Sequence, residues 1–75
     1  MEKLEDILAL VLKIGAKDIN DETSPQNTPS WDSMNGLLIV TEVEKNYGIK
    51  FTIDDILSIK NVGKIKEILA KHNLN

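Results

Sequence analysis

The sequence predicts an all-α protein: a small four-helix bundle with three longer helices, one short helix between the second and third, and a long first loop. Two observations carry this. Apolar residues recur at helical spacing in three separate stretches, and residues suited to capping helix N-termini stand directly ahead of the later helical segments. With 75 residues, a 41% apolar composition and no cysteine, the chain is expected to form one domain over residues 1–75. Hydrophobic packing must hold it, without disulfides or a cysteine metal site.

In the first helix, expected from Glu2 to Ile14, Leu4, Ile7, Leu8, Val11 and Leu12 line one face. Glu2, Glu5 and Asp6 lie near its positive end, and Gly15 is the expected left-handed stop. Residues Ala16 to Ser30 are rich in Asn, Asp, Ser and Pro and read as a loop, tethered by Ile19 at its start and Trp31 at its end.

Asp32 is placed to cap a second helix whose first residue is Ser33. A hydroxyl there lies in the field of unpaired backbone N–H groups, which favour a phosphate ester, so Ser33 is the candidate attachment site. Ile39, Val40, Val43 and Tyr47 fit one buried face of this helix. Met34, Leu37, Leu38 and Thr41 form a neighbouring arc that fits either a partner surface or a second packed side. Gly36 inside the helix costs about 1 kcal/mol relative to alanine, which suggests a close approach by the loop or by a partner.

Gly48 is the expected stop of the second helix, and Ile49-Lys50-Phe51 a short extended link that takes Phe51 into the core. Thr52 can cap a brief helix over Ile53 to Ser58, with Asp54 and Asp55 at its positive end. It is too short to stand alone and depends on Ile56 and Ile59, so it is expected to be the most mobile element. Asn61 can cap the last helix, in which Val62, Ile65, Ile68 and Leu69 recur at helical spacing to about Lys71.

A net charge of −3 and the absence of arginine argue against nucleic-acid binding, and Lys60, Lys64, Lys66 and Lys71 read as a solvated face. No apolar run is long enough to span a membrane, and the N-terminus lacks the order of a signal peptide, so a cytoplasmic protein is expected. His72, the single histidine, sits near the end of the last helix and is neither a convincing metal ligand nor a base. No catalytic constellation and no metal site are expected.

The order of these elements, together with Asp32-Ser33-Met34, Tyr47 followed by Gly48-Ile49-Lys50-Phe51, and Asn61-Val62-Gly63 at the start of the last helix, resembles the acyl carrier protein family. The resemblance spans nearly the whole chain. It implies a phosphopantetheine arm attached covalently to Ser33 by a separate phosphopantetheinyl transferase, with Asp32 assisting the modification. It also implies that the chain is no enzyme, but holds acyl groups as thioesters for acyl-loading and acyl-processing partners. The second helix, through Met34, Leu37, Leu38 and Glu42, would be the docking surface, Ile59 would flank the acyl pocket, and a monomer is expected.

Three positions depart from the general fatty acid carriers. Trp31 replaces the small residue that commonly precedes Asp-Ser, and Asn35 and Leu38 stand where acids are common. Docking is therefore expected to be more apolar and less salt-dependent. Asp32 in place of the histidine typical of peptidyl carriers argues against nonribosomal peptide synthesis. Carriers with Trp-Asp-Ser resemble stand-alone proteins of polyketide-like, amino-acyl or surface-polysaccharide pathways. The alternatives are the general fatty acid synthesis carrier and an unmodified helical module that binds a partner helix.

Overall fold

Residues 3–72 are described in the computed structural model. They form four helices: α1 (Leu4–Leu12), α2 (Ser33–Tyr47), the short α3 (Ile53–Ser58) and α4 (Val62–Lys71), with a single 3-10 turn (Ala16–Asp18) inside the first loop. The expected helical bundle is therefore present. Its core is built from the apolar stripes: Leu4, Ile7, Leu8 and Leu12 of α1, Ile39, Val40 and Val43 of α2, and Val62, Ile65, Ile68 and Leu69 of α4, joined by Phe51. Tyr47, expected on the buried face, is half-buried against the edge of this core.

The first helix differs from expectation at its end. Lys13, not Gly15, takes the left-handed conformation, with φ 59° and its N–H donating to the Ala9 carbonyl, while Gly15 is extended at φ −70°. A non-glycine residue there costs about 1 kcal/mol or more. The early turn lets Ile14 fold back against the core and leads through the 3-10 turn to buried Ile19. Glu2 lies outside the described residues.

The first loop satisfies its backbone through its own side chains. Thr23 Oγ1 accepts from the Asn20 N–H, and Asn27 Oδ1 accepts from the Ser24 N–H and the Thr28 hydroxyl. Asn27 Nδ2 in turn donates to the Glu22 carbonyl at 3.0 Å. The loop also closes the start of α4: the Val62 N–H donates to the Thr23 carbonyl and the Gly63 N–H to the Asp21 carbonyl, both at 2.9 Å. These are two of the N–H groups that a helix N-terminus leaves without an intrahelical partner. A methyl group on Gly63 would meet the Asp21 carbonyl at 3.3 Å, a tight contact that the loop could accept only by shifting a few tenths of an ångström, so glycine eases the close approach. Lys66 of α4 adds ion pairs to Asp21 at 2.7 Å and to Glu5 of α1 at 3.2 Å, which raise its pKa above the usual lysine value.

Gly48 ends α2 at φ 67°, and Glu44 Oε2 accepts from the Phe51 N–H at 2.7 Å, steering the link into the core. The short α3 opens with a complete capping box: the Asp55 N–H donates to Thr52 Oγ1, and the Thr52 N–H donates to Asp55 Oδ2. The other oxygen of the buried Asp55 carboxylate accepts from Lys71 Nζ of α4 at 3.0 Å. The short helix is thus pinned by polar bonds at its start, while Ile56 and Ile59 rest half-buried on the core and Ile53 and Leu57 face solvent.

The Lys71 hydrogen bond, with the Thr52 N–H, holds the Asp55 carboxyl below the ordinary aspartate value. Because the folded pKa is the lower one, the resulting stability is present above the unfolded value of about 3.9 and is lost as pH falls through the folded value. Asp55→Asn should be less stable than the parent at pH 6. The gap should narrow as chemical denaturation is repeated from pH 5 towards pH 2, and a gap constant with pH would refute the assignment.

Candidate functional site

The start of α2 is built from both of its flanks. Upstream, the Trp31 N–H donates to the Thr28 carbonyl, and the indole is packed into the core with 6% of its surface exposed. Asp32 is extended and caps the helix, its Oδ1 accepting from the Asn35 N–H at 2.9 Å. The side chain of Asn35 reaches back, and its Nδ2 donates to the Ser30 carbonyl at 2.7 Å. An acid at position 35 would present only acceptors to that carbonyl, so the amide is what ties the loop to the helix here.

Ser33 follows the cap as the first residue of α2 and is exposed. The Asn35 N–H is taken by Asp32 Oδ1 and the Gly36 N–H by the Asp32 carbonyl at 2.8 Å. Among the described residues, the N–H groups of Ser33 and Met34 have no protein acceptor. An exposed hydroxyl beside two free N–H groups at a helix start suits an anionic ester.

Beside Ser33 lies a cleft of about 620 Å³ whose walls come from the loop (Pro25, Trp31), from α2 (Gly36, Leu37, Ile39, Val40) and from Ile56 and Ile59. Its lining is largely apolar, and Ser33 and Asp32 stand at its rim. The residues therefore fit a long covalently attached arm: an attachment hydroxyl, donors for its phosphate, and an apolar channel for what the arm carries.

The outer arc of α2 faces solvent: Met34 is 73% exposed, Leu37 62% and Leu38 46%. The second-side packing that the sequence left open is thus absent among the described residues. Exposed Ile53 and Leu57 of α3 add to the apolar surface, whereas Glu42 is half-buried and pairs with Lys45 at 3.8 Å. Of the clustered lysines, Lys64, Lys66 and Lys71 are engaged in ion pairs, and His72 is exposed at the end of α4. No group of residues able to hold a metal ion occurs among the described residues.

The roles of Asn35, Asn27 and Asp55 were missed in the sequence. The Thr52-x-x-Asp55 spacing was a legible capping-box signal, and Ser24-x-x-Asn27 a legible turn signal. Nothing local marks the long-range partners, the Ser30 carbonyl and Lys71.

This geometry fits a carrier of a covalently attached group. The sequence matches the family model of the phosphopantetheine attachment site over residues 2–69, and the chain belongs to the acyl carrier protein family, whose members bear a covalent phosphopantetheine. The solved structure of a holo acyl carrier protein from Geobacter metallireducens is similar, with a TM-score of 0.82 at 28% identity, covering 91% of this chain and 78% of that one. A candidate acyl carrier protein from Mycobacterium tuberculosis shares the fold, with a TM-score of 0.79 at 20% identity over 93% of this chain and 99% of that one. No curated protein matches the chain. Acyl carrier proteins are carriers and not catalysts, and they work with a transferase and with acyl-processing enzymes. No helix among the described residues is long and apolar enough to cross a membrane.

Gly36 tests what the cleft demands. A methyl group there would lie 3.5 Å from Trp31 Nε1, an ordinary contact distance, so the loop does not require the glycine. Gly36→Ala should raise stability by up to about 1 kcal/mol through helix propensity, read as a higher urea midpoint. Destabilisation would mean that the indole packs more tightly on α2 than these distances indicate.

Proposed function

We propose that this chain carries its phosphopantetheine on Ser33, with Asp32 assisting the transferase, and presents thioester-bound acyl groups in a specialised pathway rather than in general fatty acid synthesis. The observation that carries the attachment reading is the exposed Ser33 hydroxyl at the start of α2, at the rim of the apolar cleft. The arm supplies a thiol that holds the acyl group activated and tethered, which raises its effective concentration at each docked enzyme. The chain's own residues do the rest: Asp32 and Asn35 fix the helix start, free N–H groups face the phosphate, and Ile59 flanks the acyl channel.

The specialised reading is supported by the outer surface. Met34, Leu37 and Leu38 expose an apolar arc, Leu38 and Asn35 stand where a fatty acid carrier of the general type commonly has acids, and Asn35 is committed to the loop. That arc would dock partners chiefly by apolar burial, with Glu42 at its edge. It also supports the second reading, an unmodified module that binds a partner helix.

The two readings separate by mass. Incubated with coenzyme A and a broad-specificity phosphopantetheinyl transferase, the apo-protein should gain one phosphopantetheine by intact mass spectrometry, and Ser33→Ala should gain none. An unmodified parent across several transferases, or an adduct on Ser33→Ala, would overturn the attachment reading.

Docking has its own test. Leu38→Glu places a charge on an exposed position, so circular dichroism and thermal midpoint should hardly change. Processing by the cognate partner should fall roughly ten-fold, the cost of losing one well-packed interface side chain. Unaltered processing would remove Leu38 from the docking surface.

A further inference from the structure

The indole of Trp31 turns its polar edge towards α2. Of the atoms near a methyl built on Gly36, the closest are Trp31 Nε1 at 3.5 Å and Cδ1 at 3.8 Å, and both residues line the cleft. The ring is 6% exposed, and a buried indole N–H ordinarily finds an acceptor. Here none of the side-chain hydrogen bonds among the described residues engages it. It is not among the fully enclosed unpartnered atoms either, since Ser30 Oγ is the one such atom there. The donor therefore opens on the cleft, over the notch that Gly36 leaves by having no side chain.

Ser33 and Gly36 are three residues apart on one helix and so are neighbours on one face, about 5–6 Å apart. A chain that leaves the Ser33 hydroxyl along the cleft passes this donor within about one helical turn. An indole N–H can only donate, so the complementary group is an acceptor. On an otherwise apolar wall, that donor fixes the register of whatever lies along it.

We propose that Trp31 is a positioning residue whose indole N–H donates a hydrogen bond to a carbonyl oxygen of the group carried on Ser33, with that oxygen seated in the Gly36 notch. The carbonyl belongs either to an amide of the arm or to the acyl cargo. Both present the same acceptor. The inference rests on Ser33 being the attachment site. Its consequence is selectivity: an arm held by a donor near the rim enters the cleft at a defined depth, which sets how much of the cargo is covered.

The chain has a single tryptophan, so a nitrogen-15 label gives one indole cross-peak. The peak is followed in the apo-protein, in the holo-protein and after loading with an acyl group, each form confirmed by intact mass. A displaced peak with indole exchange about five-fold slower in the holo form assigns the arm amide, and the same change only after loading assigns the cargo. Gly36→Ala, whose methyl group would fill the notch, should stay folded, accept the arm and lose the slowed exchange. Complete modification with the peak and exchange unchanged in both loaded forms overturns the inference and leaves the attachment reading standing. Full protection retained in Gly36→Ala also overturns it, whereas failure of any adduct to form removes both.

Discussion

The structure depends on how the N–H groups that open its helices are satisfied. A helix start leaves donors that must find partners, and a chain of this size has few residues to spare for the task. At α4 the solution is tertiary: Asn61 caps from the side chain, and two loop carbonyls, those of Asp21 and Thr23, take the next donors. At α3 it is a reciprocal box between Thr52 and Asp55. At α2 the cap is Asp32 alone, and the N–H groups of Ser33 and Met34 stay open beside an exposed hydroxyl.

That difference ties the fold to the function. The first loop is held against α4 by the Val62 and Gly63 bonds and against the core by Ile19 and Trp31. It is thereby a fixed wall of the cleft, and Asn35 fastens its last turn to α2 through the Ser30 carbonyl. An attachment point at the end of a loose loop would sample many directions. The attachment proposed at Ser33 would be held between a capped helix and a tethered wall, beside the cleft that Ser33 helps to line.

The short helix α3 supplies the opposite wall with little apolar burial of its own. Its single buried residue is Asp55, whose carboxylate joins the cap of α3 to Lys71 of α4, while Ile56 is only half-buried. The sequence led to a Thr52 cap and to packing by Ile56 and Ile59, but not to the Lys71 bond. The polar anchor fixes one end of the element and leaves Ile53 and Leu57 exposed.

Periodicity and capping chemistry are local, and the sequence by itself determined what is local: four helices in order, the caps Asp32, Thr52 and Asn61, the stop at Gly48, and the buried stripes of α1 and α4. Together with the setting of Ser33, these also made the family legible. Tertiary structure decided what depends on partners distant in the chain. Lys13 rather than Gly15 ends α1 because packing of Ile14 and Ile19 outweighs a small backbone cost. Met34, Leu37 and Leu38 face solvent because the rest of the bundle leaves that side of α2 uncovered. The unpaired edge of Trp31 above Gly36 exists only because the loop brings the indole to the cleft, a direction that no local pattern encodes.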